Sequence, residues 1–164
     1  MRIRAVSTVT PVYPRTVPDL PDIATDSTLA AAPPEPAAGF RSAVVRAGYE
    51  EAGIGPEGLD LAEVHDLSTA LELDWYEDLG LCPPGGAEAA ARRGHAARGR
   101  IPVAPSGGLS SFGEAVPAQA LAQVCEPTWQ VARPVGAPAG RGARVGVTAN
   151  QGLFGHGSSV VVIR

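Results

Sequence analysis

Cysteine is scarce in this chain. Cys82 and Cys125 are its only two; they lie far apart and outside any CxxC pattern. No zinc or disulfide framework is readable from them, and free thiols of a cytosolic protein are the expectation. Aromatic residues are scarce as well, at 5% against 45% apolar residues in all. Core volume must therefore come from Ala, Val, Leu and Ile. There is no basic run and no interleaving of basic with aromatic residues, and the net charge is −4. That composition argues against nucleic acid as a partner. No apolar run approaches the roughly 20 residues of a membrane span. The opening MRIRAVSTVT alternates like a strand, so it does not read as a signal peptide. No internal repeat is visible.

What is present is one domain of ordinary size, 164 residues long. Residues 2–10 are rich in β-branched side chains and predict a strand. Residues 11–39 hold seven prolines, Pro11, Pro14, Pro18, Pro21, Pro33, Pro34 and Pro36, which predict a long irregular excursion. Residues 40–53 have helical spacing, with Phe40, Val44, Ala47 and Val45 on the apolar face and Gly53 at the C-terminal end. LDLAEVHD, 59–66, predicts a short strand. Residues 68–81 predict a helix capped by Ser68, with Leu71, Trp75 and Leu79 on one stripe. A short Ala/Arg helix follows at 85–94 and an extended piece at 101–108. Residues 114–132 predict an apolar helix, and RVGVTANQG and GSSVVVIR predict two strands joined by LFGH. The order is strand, helix, strand, helix, strand, helix, strand, strand. It implies an α/β layered fold with a mixed, mostly five-stranded sheet whose last two strands pair antiparallel at one edge.

Several residues have two readings at this level. His65 ends a strand beside a helix start, as either a packed side chain or a site-lining donor. Glu114 follows the glycine turn SGGLSSFG. It is either a carboxylate favoured by the helix macrodipole, worth about 0.3–1 kcal/mol, or a general base. Asn150 and the glycines of 152–157 can be turn formers or site formers. Asp74, Glu77 and Asp78 read as a solvated helix face, His95 as solvent-facing, and Trp75 and Trp129 as core or interface anchors. The glycines of 107–113 do not have G-x-G-x-x-G spacing and no Lys-Ser/Thr follows, so a phosphate-binding loop is excluded.

Three segments in this order, EVHDLSTALELDWYEDLG, SGGLSSFGEAVPAQALAQ and TANQGLFGHGSSVVVIR, resemble the C-terminal half of a thiolase. The likeness covers residues 1–10 and 40–164. It is strongest to the sterol-carrier-protein-X or lipid-transfer-protein type, whose relatives include acetyl-CoA acetyltransferases and steroid side-chain aldolases. The resemblance implies a half fold in which one helix belongs to a central layer shared with an N-terminal half. His65-Asp66 matches the His-Asp pair of that type, where the imidazole helps to hold a thioester oxygen; the following position, often Cys there, is Leu67. Gly113-Glu114-Ala115 lies where Gly-His-Pro is expected, so a proton acceptor replaces a donor. Asn150-Gln151-Gly152 lies where Cys-x-Gly is expected. Asn150 cannot be an acid/base, while Gly152, like Gly113, can offer a backbone N–H to an oxyanion.

No residue matches the nucleophilic cysteine of the N-terminal half, so the thiolase mechanism is not complete in this chain. The surviving groups are His65, Glu114, glycine N–H groups, and Asp66 and His156 as possible site-lining residues. They suit retro-aldol cleavage of a β-hydroxyacyl-CoA better than thiolysis. Tyr13, Tyr49 and Tyr76 stand outside the glycine motifs, although aldolases of the superfamily are thought to use tyrosines. No permanent cofactor and no metal are expected; coenzyme A enters as part of an acyl-CoA substrate. The resemblance further implies a partner: an N-terminal thiolase half, a second copy of the chain, or an OB-fold protein. A non-catalytic structural subunit and a vestigial fragment are the alternatives to an enzyme. A cytoplasmic location is expected.

Overall fold

The computed structural model describes residues 1–9, 40–92, 100–116, 118–132, 142–152 and 158–164. The Pro-rich excursion, Tyr13, His95, the LFGH link and His156 lie outside them. The elements in order are β1 (Ile3–Val9), α1 (Phe40–Ala52), β2 (Leu61–Val64), α2 (Thr69–Asp78), α3 (Ala87–Ala90), α4 (Gly108–Phe112), α5 (Ala118–Ala132), β3 (Gly146–Gln151) and β4 (Ser158–Ile163).

Among the described residues the sheet has four strands in the order β1-β4-β3-β2. β2 and β3 are parallel, while β4 is antiparallel to both β3 and β1. The α/β class is as expected, with two corrections. The β3–β4 pair lies inside the sheet, because β1 returns to cover the outer side of β4. The expected fifth strand at 101–108 shrinks to a single bridge, Ala62 to Val103. Pro102 and Pro105 flank Val103 and carry no N–H, so only two ladder bonds form: Ala62 N to Pro102 O at 2.9 Å and Ala104 N to Ala62 O at 2.8 Å.

Alternation along the strands divides the sheet into an apolar and a polar face. Ala62, Val64, Val147, Ala149, Val160 and Val162 join Val44 and Val45 of α1 and Trp75 and Tyr76 of α2 in one buried cluster. Gly48 belongs to this contact in place of the expected Ala47, which is exposed; a Cβ on Gly48 would sit 3.2 Å from Val160 Cγ1. Ser68 caps α2 by accepting from Leu71 N at 3.3 Å. The acidic residues of α2 are not merely solvated. Asp74 and Asp78 both pair with Arg41 of α1, whose guanidinium lies over the Trp75 ring, and Glu77 accepts from Ala87 N at 3.3 Å.

The opposite face of β2 and β3 carries α5. This helix departs from its expected form in two ways, its start and the polarity of its buried side. It begins at Ala118 rather than at residue 114, because Gly113 has φ +79 and ends the short α4. Its buried side is Gln119, Gln123, Pro127 and Gln130. Its other side is open, with Leu121 71% and Trp129 51% exposed. Pro127 breaks the hydrogen-bond ladder of α5, at a cost of about 3 kcal/mol in an isolated helix. It lies flat on Gly146 of β3, where any side chain would place its Cβ 2.8 Å from Pro127 Cβ. Two rigid groups meet there, so neither side can yield. Gly146→Ala is predicted to lower stability by about 1–3 kcal/mol in urea unfolding. Gly48→Ala, which faces a side chain that can rotate, is predicted to lose less.

Candidate active site

His65 follows the last residue of β2. Its backbone N–H donates to Ala149 O at 2.8 Å, which extends the parallel ladder by one bond and fixes the ring over the end of the sheet. The ring is buried, 4% exposed. Asn150 Nδ2 lies 3.4 Å from His65 Nδ1 and also donates to Gln123 Oε1, while Gln123 Nε2 donates to Val64 O. The amide of Asn150 has two hydrogens and two acceptors to serve. Nδ1 of His65 therefore accepts, and the ring proton sits on Nε2. Nε2 lies 4.0 Å from Glu114 Oε1. Burial pushes the His65 pKa below its ordinary 6.5, while Glu114 and then Asp66 pull it partly back. The ring is consequently neutral at neutral pH, with its N–H on the nitrogen that lies 4.0 Å from Glu114, beyond hydrogen-bond reach.

A cleft of about 300 Å3 opens at this point, lined by His65, Leu67, Leu71, Glu114, Val116, Gln119, Ala120, Asn150, Gln151 and Gly152. Its floor is polar and its walls are apolar. Residues of three sequence motifs line this cleft together: His65 from the end of β2, Glu114 from the link between α4 and α5, Asn150 from β3 and Gly152 just beyond it. Asn150 is a strand residue and not a turn former. Glu114 lies in the loop before α5 and is no helix cap. Gly113 N donates to Leu109 O at 2.7 Å, so its N–H is already used and is not free for an oxyanion. Tyr49 and Tyr76 bond away from the cleft, to Leu79 O and Glu72 respectively. Neither cysteine lines it. Gln119 and Gln123 were not anticipated. Their signal was present, since two glutamines four apart, followed by Gln130, mark one side of an otherwise small and apolar helix.

The glycine turn ahead of Glu114 is held from beneath by β2. Glu63 is fully buried. Its carboxyl accepts from Ser106 N at 3.1 Å and Ser106 Oγ at 2.8 Å, and Ser106 Oγ accepts from Gly108 N at 3.1 Å. Asp66 is not a wall of the cleft; it accepts from Leu109 N at 2.9 Å. Gly108 has φ +60, and a Cβ there would overlap Asp66 Oδ2, so glycine is required at this position. Burial, reinforced by Glu126 and Asp66 against the two Ser106 bonds, pushes the Glu63 carboxyl up to about 7. Among the described residues no group of three or more His, Cys, Asp or Glu is placed to hold a metal ion. No helix among them is long and apolar enough to cross a membrane.

The layered α/β domain with its mixed four-stranded sheet is of the thiolase-like fold class. Residues 24–164 match the family model described as thiolase C-terminal domain-like, and the chain belongs to that family. It is 42% identical over 108 residues to rat (Rattus norvegicus) sterol carrier protein 2, covering 65% of this chain and 20% of that one. It is 46% identical over 77 residues to the benzoylsuccinyl-CoA thiolase subunit BbsB of Thauera aromatica, covering 46% and 20%. Among solved structures, the Ltp2-ChsH2(DUF35) aldolase superposes with a TM-score of 0.63 at 23% identity, covering 75% of this chain and 31% of that one. The chain thus spans about a fifth of the length of these two sequence relatives.

The buried Glu63 gives the fold a pH signature. Its folded-state pKa lies above the unfolded value of 4.5, so its contribution is complete below pH 4.5 and is lost as pH rises through about 7. Stability is predicted to fall by on the order of 3 kcal/mol across that window. In Glu63→Gln, measured by urea unfolding at a series of pH values, this part of the decline is predicted to disappear.

Proposed function

We propose that this chain is the C-terminal half, or a subunit, of a thiolase-fold enzyme that acts on a carbon–carbon bond of an acyl-CoA thioester. Within that class, the cleft favours retro-aldol cleavage of a β-hydroxyacyl thioester over thiolysis. One observation carries the reading: a neutral imidazole donor and a carboxylate face each other 4.0 Å apart, with the imidazole tautomer set by Asn150. Glu114 takes the proton of the β-hydroxyl. The bond between the α- and β-carbons breaks, and its electron pair moves into the thioester enolate. His65 Nε2–H donates to the thioester oxygen as charge grows there, the task of an oxyanion donor. The proton held by Glu114 returns to the α-carbon, leaving a carbonyl compound and a shortened acyl-CoA. No covalent cysteine takes part. Coenzyme A is part of the substrate, and Leu67, Leu71 and Val116 form an apolar wall for the acyl chain.

The chain acts with a partner in this reading. Leu67, Phe112, Val116, Leu121 and Trp129 are large, apolar and exposed; Leu67 and Val116 line the cleft, Leu121 and Trp129 lie on the outer side of α5, and Phe112 ends α4. They suit the inner surface of an N-terminal thiolase half, which would also close the cleft. That half is the partner in this proposal, and the location is cytoplasmic. A structural subunit that only shapes a partner's site is the second reading, favoured by the same exposed face.

Co-expression with an N-terminal thiolase half is expected to give a stoichiometric complex by mass in solution, with activity toward β-hydroxyacyl-CoA. Glu114→Gln in that complex is predicted to reduce turnover about 100-fold or more while assembly is unchanged. A stable complex in which Glu114→Gln alters nothing would favour the structural subunit. A lone, well-folded monomer that accepts no thiolase half would overturn the split-enzyme reading.

A further inference from the structure

We propose that Glu63, through Ser106, is a positioning residue that sets the distance between Glu114 and His65. Its functional meaning rests on the reading of Glu114 as the base, but its structural readout does not. Glu63 sits two residues before His65 on β2, pointing to the same face of the sheet. From there its carboxyl holds both the N–H and the hydroxyl of Ser106. Asp66, one residue beyond His65, holds Leu109 N. The strand end that carries the imidazole therefore grips the turn at two points, one on either side of the glycines, and Glu114 hangs from the far end of that turn.

The turn needs such a grip. Ala104, Gly107, Gly108 and Gly113 all have positive φ. For Ala104 this is a strained conformation that persists only when its surroundings impose it. α4 is five residues long, too short to hold its own shape. No salt bridge anchors Glu114 among the described residues other than its approach to His65. What keeps its carboxylate near the ring is thus the path of the chain, and the path is fixed by Glu63 and Asp66. A structural carboxylate with no role in positioning could be placed on the solvent side of the turn at little cost. Glu63 is instead fully buried under α5, where Glu126 of α5 and Asp66 are the charged groups that act on it.

The experiment follows the His65 titration by NMR in the full chain, with its signal among three histidines identified by its loss in His65→Asn. Glu114 raises the pKa of this ring, so the titration midpoint reports how close Glu114 is. Glu114→Gln calibrates the full loss. Glu63→Ala is expected to lower the midpoint by about 0.5 pH or more, in the direction of Glu114→Gln. Glu63→Gln, which keeps an acceptor for Ser106 N and a group that can bond Ser106 Oγ, is expected to restore the wild-type midpoint. Ser106→Ala, milder to the fold, is expected to give a smaller fall. The proposal is overturned if Glu63→Ala and Ser106→Ala leave the midpoint in place. It is equally overturned if Glu63→Gln lowers it as far as Glu63→Ala, because the effect would then be charge and not bracing. Binding of β-hydroxybutyryl-pantetheine to the wild-type complex with an N-terminal half tests the functional reading separately. If that thioester does not bind and the midpoints shift as stated, the function fails and the positioning role stands.

Discussion

The carboxamide of Gln123 is the joint on which this domain's polar face depends. One of its ends donates to the carbonyl of Val64, and the other accepts from Asn150. A single side chain thereby ties α5 to the ends of two parallel strands. These groups are buried, where each unpaired polar atom costs about 1–3 kcal/mol. A hydrocarbon in place of Gln123 would orphan both partners at once. The further effect is chemical. Because Gln123 takes one hydrogen of the Asn150 amide, the other is left for His65, and the ring has one tautomer rather than two. A packing contact and a protonation state are decided by the same bond.

Around this joint, the domain gives up local preference for placement. A proline stands inside a helix so that the helix can lie against a glycine of β3. An alanine is held at positive φ in the turn before Glu114. Among the described residues, a glutamate is buried with no cation paired to it, its carboxyl held by a serine. Each departure costs some stability, and all three lie on the α5 side of the sheet or on the turn that it covers. On the other side, Trp75, Tyr76 and the valines pack in one apolar cluster, and the cost there is the buried Trp75 indole N–H, which has no hydrogen-bond partner among the described residues.

How much was legible in the sequence follows the same division. The apolar side announces itself through periodicity: Val44 and Val45 of α1, Ser68 with Trp75 and Leu79 of α2, and the β-branched run of β4 all fall where spacing puts them. The strand at 101–108 did not form as expected, because proline removes donors that a count of apolar residues does not register. The polar side was legible only by likeness to a family. His65, Glu114 and Asn150 come together, yet no local pattern distinguishes a strand-end histidine that lines a cleft from one that merely packs. Gln123 and Glu63 were missed for a physical reason. Each bonds to a residue 27 to 59 positions away in sequence, and although the spacing of the glutamines marks a polar helix side, no local pattern names those partners. Helix α5 misled in the opposite sense. Small apolar residues suggested an apolar sheet side, whereas that side is mostly glutamine; the open side, with Leu121 and Trp129, is the face that a central-layer helix leaves uncovered in a lone half.

That inversion bears on how much of this protein a cell can hold. A helix with its amides turned inward and its hydrocarbon turned outward gains from whatever covers it, by mass action. Copies in excess of the covering surface would keep a sticky flank in solution, open to aggregation and to quality control. If the chain acts with a separate thiolase half, as proposed above, its tolerable dose is set by the supply of that half. Selection would then act on matched synthesis as well as on the cleft.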